Sequence, residues 1–148
     1  VFIANPMSEN YEVIRPSILP CLLESESVSG HAVYPHLIFE CGKVTVKDEN
    51  DNSGTHTGNS VGFLAANVSM GYNDAASYIQ TLMYFLRKDY TLSPVEDDPR
   101  FIPGRAAYVM YKGEKAGVFG ETHPAVLESW GCTMPAIMAE LDMDILLK

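Results

Sequence analysis

The stretch FIPGRAAYVMYKGEKAGVFGETHPAVLESWG, residues 101–131, holds the pattern that decides the fold. Its alternating apolar and β-branched residues predict two strands, at 106–111 and 115–119. Lys112, Gly113 and Glu114 between these strands are typical of a tight turn. Strands joined by so short a turn favour antiparallel pairing.

The second half of this stretch predicts a short helix and then a further strand. Pro124 suits the first position of a helix, residues 125–130 continue it, and Gly131 suits its left-handed end. Residues 136–141 predict the last strand, and a further helix is expected to begin at Met143.

Working outward, the N-terminal half predicts a second hairpin. Residues 37–46 (LIFECGKVTV) and 61–70 (VGFLAANVSM) predict strands, and the polar residues 47–60 between them suit an exposed tip. We expect the 37–46 strand to be central in the sheet. Because the chain shows few parallel crossover units, the predicted fold class is α+β, a mostly antiparallel sheet flanked by helices.

Two helices are predicted outside these strands. The first begins after Ser17 and ends at Gly30, and the second is capped by Asn73. Their apolar residues recur at helical spacing, namely Ile18, Leu19, Leu22 and Leu23 in the first, and Ile79, Leu82, Met83 and Leu86 in the second.

Length, net charge and cysteine content exclude some classes of function. The 148 residues suit one domain, and no apolar run approaches the length needed to span a bilayer. The formal net charge of −9 disfavours RNA binding by this domain alone. Three cysteines without a CxxC pair favour buried thiols in a reducing cytosol. The start in mid-strand, without methionine or a signal peptide, indicates a domain excised from a longer protein.

Few residues indicate chemistry. Glu40 and Glu121 are carboxylates in apolar surroundings, which suits either an acid/base role or structural pairing with Arg15 or Arg105; we favour the pairing. His123 beside Glu121 is better explained as the start of a helix than as half of a metal site, and we expect no structural metal. Nucleotide-binding and nucleophile motifs are absent from the sequence.

Ordered motifs across the chain resemble those of phenylalanyl-tRNA synthetase beta subunits, most closely of the archaeal and eukaryotic type. The family pattern runs N-P-[ML]-S, R-x-S-[LI]-L-P, F-E-x-G, G-R-A and G-E-x-H-P-x-V-L. Cys21 departs from it, because the family usually has glycine there. The matching residues that we assign structural roles are Asn5, Pro6, Arg15, Pro20, Phe39, Glu40, Gly42, Gly104, Arg105, Gly120, Glu121, His123 and Pro124.

The resemblance implies a class II synthetase fold that has lost its catalytic residues. Active members hold ATP with arginines on a strand and in a late glycine-rich motif. This chain has no arginine in the 37–46 strand and none after Arg105. The resemblance therefore implies no catalytic residue and no bound cofactor here, with ATP and magnesium used by the whole cytoplasmic enzyme.

The resemblance also implies partners. Catalysis belongs to the alpha subunit of a heterotetramer, and tRNA(Phe) is bound through the whole complex; other beta-subunit modules, including the editing domain, lie outside this chain. Ile18, Leu19, Leu22 and Leu23 are expected at the subunit interface, or at a self-association contact of the isolated domain; the rival interpretation places them in its own core. An independently active class II-like enzyme that activates a small carboxylic acid, and a tRNA-contacting module, remain the alternative functions.

Overall fold

A computed structural model describes residues 1–8 and 12–148. Within these residues the chain forms four helices and six strands. In chain order they are α1 (Leu19–Val28), β1 (His36–Lys47), β2 (Thr55–Ala66), α2 (Tyr72–Leu86), β3 (Thr91–Pro94), β4 (Phe101–Tyr111), β5 (Glu114–Thr122), α3 (Pro124–Trp130), β6 (Ala136–Asp142) and α4 (Met143–Leu146). None of the helices in the described ranges is long and apolar enough to cross a membrane.

The strands form one sheet in the order β1-β2-β6-β5-β4-β3, and every neighbouring pair is antiparallel. The predicted fold class, an antiparallel sheet flanked by helices, is confirmed. The predicted position of the 37–46 strand is wrong: β1 lies at the edge, and β6 lies inside, between β2 and β5. Local patterns show that β1 and β2 form a hairpin, but they do not show which of the two continues the sheet.

Each face of the sheet carries its own apolar core, because successive side chains of a strand point to opposite faces. On one face α1 packs against Leu64 and Met138. On the other, α2 and α4 pack against Phe119 and Ile137. Adjacent residues of β6 therefore serve both cores, which explains the nearly continuous burial of that strand.

Several boundaries differ from those predicted. β2 begins at Thr55, so the hairpin tip is shorter than 47–60, and the predicted cap Asn73 lies inside α2, which begins at Tyr72 after Gly71. The carboxylate of Asp74 accepts a hydrogen bond from the backbone N–H of Gly71 and holds this earlier start. β3 contains Pro94, which has no backbone N–H to donate; an edge strand tolerates proline where that position faces away from the sheet.

Candidate functional site

The R-x-S and F-E-x-G motifs meet at the edge of the sheet. The guanidinium of Arg15 binds the carboxylate of Glu40 with 2.5 Å between Nη2 and Oε1, and its Nε donates to the carbonyl of Lys43 at 3.2 Å. Gly42 leaves the space for this arrangement, because a Cβ there would collide with the guanidinium. The hydrogen bond from Arg15 to Glu40 raises the pKa of Arg15 above its ordinary value.

The G-R-A and G-E-x-H-P motifs meet in the same way between β4 and β5. Arg105 Nη1 lies 2.7 Å from Glu121 Oε2, and Oε1 of the same carboxylate accepts the backbone N–H of Tyr72 at 2.8 Å. Glu121 therefore connects β5 to β4, through Arg105, and to Tyr72, the first residue of α2. Gly120 stands opposite Ala106, where a Cβ would come within 2.6 Å of the Ala106 side chain. The expected pairing of Glu40 and Glu121 with Arg15 and Arg105 is confirmed.

His123 starts helix α3, as predicted from the sequence. Its Nδ1 accepts the backbone N–H of Ala125 at 3.1 Å, and Pro124 follows at the first helical position. This bond satisfies one of the N–H groups that have no partner within a helix. In the residues that the structure describes, no group of three or more His, Cys, Asp or Glu side chains could hold a metal ion.

Sequence reasoning missed Glu140, which lies on the interior strand β6. Its Oε1 accepts from the backbone N–H of Ile18 at 2.8 Å and from the hydroxyl of Ser60 at 2.9 Å, and its Oε2 accepts from the hydroxyl of Ser17 at 2.5 Å. This carboxylate fixes the start of α1 to the sheet. A lone acid in the apolar segment 136–141 was the available signal, the same that marked Glu40.

A second carboxylate, also missed, fixes the far end of α1. Glu26 is buried and contacts Nδ1 of the buried His36 at 2.8 Å, and the ring of Tyr34 stacks on that histidine with 3.9 Å between centroids. These contacts join the last turn of the helix to the first residue of β1. The polar groups around α1 therefore serve its attachment to the sheet.

The four apolar residues expected at a subunit interface lie in the domain's own core. Their side chains are between 0% and 4% exposed, and they pack against both the sheet and α3; they are Ile18, Leu19, Leu22 and Leu23. This corrects the expectation of an exposed patch, because α1 packs on β1, β2 and β6 and turns these residues toward the sheet. The role of these four residues at a subunit interface stays a prediction.

The other motif residues occupy varied positions. Asn5 and Pro6 lie in an exposed segment, and Pro20 is exposed in the first turn of α1. Gly104 has a φ of 76° at the point where β4 and β5 pair irregularly. Phe39, on the edge strand β1, is 76% exposed.

A cleft of about 650 Å³ opens beside the Arg105–Glu121 pair. Its walls include Leu127 and Met134, and Cys132 lies at its side. Burial raises the pKa of the Cys132 thiol, so the reactive thiolate is disfavoured. Arg105 and Glu121 neutralise each other and Glu128 also lines the cleft, so the cleft offers no net positive charge to an anionic ligand such as a phosphate.

Three of the four arginines of the chain are held by carboxylates. Besides Arg15 and Arg105, Arg100 binds Asp98 with 2.6 Å between Nη2 and Oδ2. That hydrogen bond lowers the pKa of Asp98 and raises the pKa of Arg100. The fourth, Arg87, ends α2 in a left-handed conformation.

Comparisons with known proteins agree with the motifs. The model of the family described as "Phenylalanyl tRNA synthetase beta chain CLM domain" matches residues 1–143. The phenylalanine–tRNA ligase beta subunit of Treponema pallidum subsp. pallidum is 45% identical over 145 residues, which cover 98% of this chain and 24% of that protein. The protein of the same name from Borreliella burgdorferi is 40% identical over 147 residues, 99% of this chain and 26% of that protein.

These relatives are much longer than the chain, and they come from one bacterial group. The chain spans about a quarter of their length. Both come from spirochaete bacteria, so they do not support the archaeal and eukaryotic type. Among solved structures, a pyrrolysyl tRNA synthetase from Desulfitobacterium hafniense matches with a TM-score of 0.68 and 14% identity, over 90% of this chain and 48% of that one. That likeness shows the fold alone, and it is the predicted class II synthetase fold.

Proposed function

Since the chain belongs to the phenylalanyl-tRNA synthetase beta chain CLM domain family, we propose that it is a structural, non-catalytic domain of a phenylalanine–tRNA ligase. In this proposal it forms one domain of a longer beta subunit. The whole cytoplasmic heterotetramer charges tRNA(Phe) with phenylalanine, using ATP and magnesium. The domain supports the catalytic alpha subunit and contacts tRNA only through the complex.

The observation that carries this proposal is the use of the arginines. A class II active site needs free guanidinium groups for the phosphates of ATP, since negative charge develops there during carboxylate activation. Here Arg15, Arg100 and Arg105 each bind a carboxylate of the same chain. These paired residues do not fit a triphosphate.

Two carboxylates, Asp144 and Glu140, are occupied by donors of the same chain and do not fit magnesium. Asp144 is bound by the backbone N–H and the side-chain amide of Asn59, which lowers the pKa of the carboxyl. Glu140 is bound by the three donors at the start of α1. Both carboxylates thus hold the fold together, which supports a structural role.

The test is phenylalanine-dependent exchange between ATP and pyrophosphate. We expect none from the chain alone, and normal exchange and tRNA charging once alpha subunit and full-length beta subunit are combined. Saturable exchange by the chain alone, surviving removal of contaminating synthetase, would favour the independent enzyme.

Partner binding is tested separately by co-purification. We expect an alpha subunit to retain the tagged chain. Without the alpha subunit, we expect the chain not to retain labelled tRNA(Phe), since the net charge of −9 repels phosphates. Retention of tRNA by the chain alone would favour the tRNA-contacting module.

A further inference from the structure

Basic residues from two distant segments meet at one end of the sheet. Arg87 and Lys88 follow the last residue of α2, and Lys112 lies in the two-residue turn that joins β4 to β5. The ring of Tyr111 lies between the segments. Nζ of Lys88 is 5.1 Å from the centroid of that ring and donates to its hydroxyl at 3.2 Å, and Nζ of Lys112 is 5.0 Å from the same centroid. We call Arg87, Lys88 and Lys112 the basic cluster.

The basic cluster is not neutralised by carboxylates of the chain. The other three arginines are each paired, whereas no salt bridge within residues 1–8 and 12–148 includes a member of the cluster. Two acidic residues adjoin it in sequence, Asp89 and Glu114, and Glu114 already lies 3.5 Å from Nζ of Lys148. The cluster is therefore a local excess of positive charge on a chain whose net charge is −9.

The backbone at two of these cations has a conformation that favours other residues. In the described part of the chain, Arg87 and Lys112 are the two non-glycine residues with positive φ, at 55° and 50°. A helix that ends in this conformation usually has glycine or asparagine there. Asn-Gly is the preferred pair for a two-residue turn with positive φ at both positions, and here Lys112 precedes Gly113 at a φ of 83°. Such left-handed residues cost free energy and are found most often at binding sites.

Stability of the fold explains only part of this arrangement. Cations at the carboxyl end of a helix stabilise its dipole, which accounts for Arg87 and Lys88. Lys112 lies outside any helix, and its ammonium group shares the Tyr111 ring with that of Lys88, which it repels. The hydrogen bond from Lys88 lowers the pKa of the Tyr111 hydroxyl, as expected where nearby cations favour an anion. An anionic ligand would relieve the repulsion between the two ammonium groups.

We propose that the basic cluster binds phosphate groups of a nucleic acid, which in the ligase complex are those of tRNA; this rests on the proposed function. Arg87 and Lys112 are exposed, and their side chains are the donors that hold phosphates in nucleic acid complexes. The Tyr111 ring is only 7% exposed, so bases do not stack on it, and the contact fixes position without reading sequence. These few contacts do not overcome the net charge of the isolated chain, so the cluster acts when other parts of the complex hold the same tRNA.

The experiment measures tRNA binding by a heterotetramer of alpha subunit and full-length beta subunit at several salt concentrations. The beta subunit carries Arg87→Asn and Lys112→Asn, singly and together. Each change removes a charge and introduces a residue that tolerates positive φ, so the melting temperature should stay the same or rise. We expect the double variant to bind tRNA(Phe) severalfold more weakly. The slope of log K against log salt should become about 1 smaller for each contact that is lost.

Lys47→Asn is the matched control, because it removes one charge from an exposed position at the end of β1, outside the cluster. It should leave the tRNA affinity and the salt slope unchanged. A noncognate tRNA should lose affinity to the same degree as tRNA(Phe), since phosphate contacts do not read sequence. If the double variant matches Lys47→Asn in both affinity and salt slope, the proposal is wrong.

Two further measurements separate this proposal from its rivals. If the double variant keeps its tRNA affinity but no longer co-purifies with the alpha subunit, the cluster binds an acidic protein surface and the phosphate contact is refuted. Exchange between ATP and pyrophosphate by the complex should be the same for parent and variants. A parent complex that exchanges and charges tRNA, with variants that bind tRNA equally well, would refute the basic cluster alone and leave the proposed ligase role intact.

Discussion

Replacement of Glu140 by alanine tests whether this carboxylate holds α1 on the sheet. The substitution removes the acceptor for the backbone N–H of Ile18 and for the hydroxyls of Ser17 and Ser60. A hydrogen bond to a charged group contributes about 1.5–3 kcal/mol. Three such bonds would give about 4.5–9 kcal/mol. Because Glu140 is only half-buried, water can replace part of the lost contacts, and Ser60 also reaches the carbonyl of Leu141. We therefore expect the free energy of unfolding to fall by about 2–4 kcal/mol.

The measurement is urea denaturation followed by far-UV circular dichroism, with thermal melts alongside. For a domain of this size the expected loss lowers Tm by roughly 4–16 °C. Glu140→Gln should lose less, because its amide oxygen still accepts from Ile18 and its NH₂ can donate to Ser17. Glu24→Ala, at an exposed position of α1, is the control and should change stability by less than about 0.5 kcal/mol. Equal stabilities of Glu140→Ala and Glu24→Ala would refute the anchoring role.

Three further predictions follow from burial and charge. Leu22→Ser should lower the free energy of unfolding by about 3 kcal/mol or more, because Leu22 is buried; an unchanged melting temperature would instead place it at an outer contact. Asp98→Asn should cost about 0.5–1 kcal/mol at neutral pH in denaturation experiments. Because Arg100 lowers the pKa of Asp98, that difference should begin to shrink as pH falls below about 4 and vanish only below the lowered pKa, and a pH-independent difference would contradict it. Iodoacetamide should label the exposed Cys41 before Cys132, because burial raises the pKa of the Cys132 thiol. Equal labelling rates of the two cysteines, measured by peptide mass spectrometry, would contradict this.

Local rules predicted the elements that local chemistry determines. The tight turn before β5 and the Pro124–Gly131 helix are where the pattern placed them, since proline and glycine restrict the backbone whatever surrounds them. The pairing of Glu40 and Glu121 with arginines was predictable as well, because a carboxylate among apolar residues needs a partner.

The order of the strands was not predictable in this way. Alternation along 37–46 indicates a strand but does not distinguish an edge strand from an interior one, and so the place of β1 was mispredicted. The burial of Ile18 and Leu22 depends on the area of sheet beneath α1, which no helical pattern contains. Glu140 was missed because its three donors come from segments distant in sequence.

The two arginine–carboxylate pairs connect the fold to the proposed loss of catalysis. A phosphate could reach Arg105 only by displacing Glu121, and the same carboxylate holds the first N–H of α2. Freeing Arg15 would likewise leave Glu40 unpaired at the sheet edge. In both places ligand binding would compete with a contact that organises the domain, and the net charge of −9 adds repulsion of any phosphate. The cations that an active site would offer to ATP are therefore used by this chain to join its own elements.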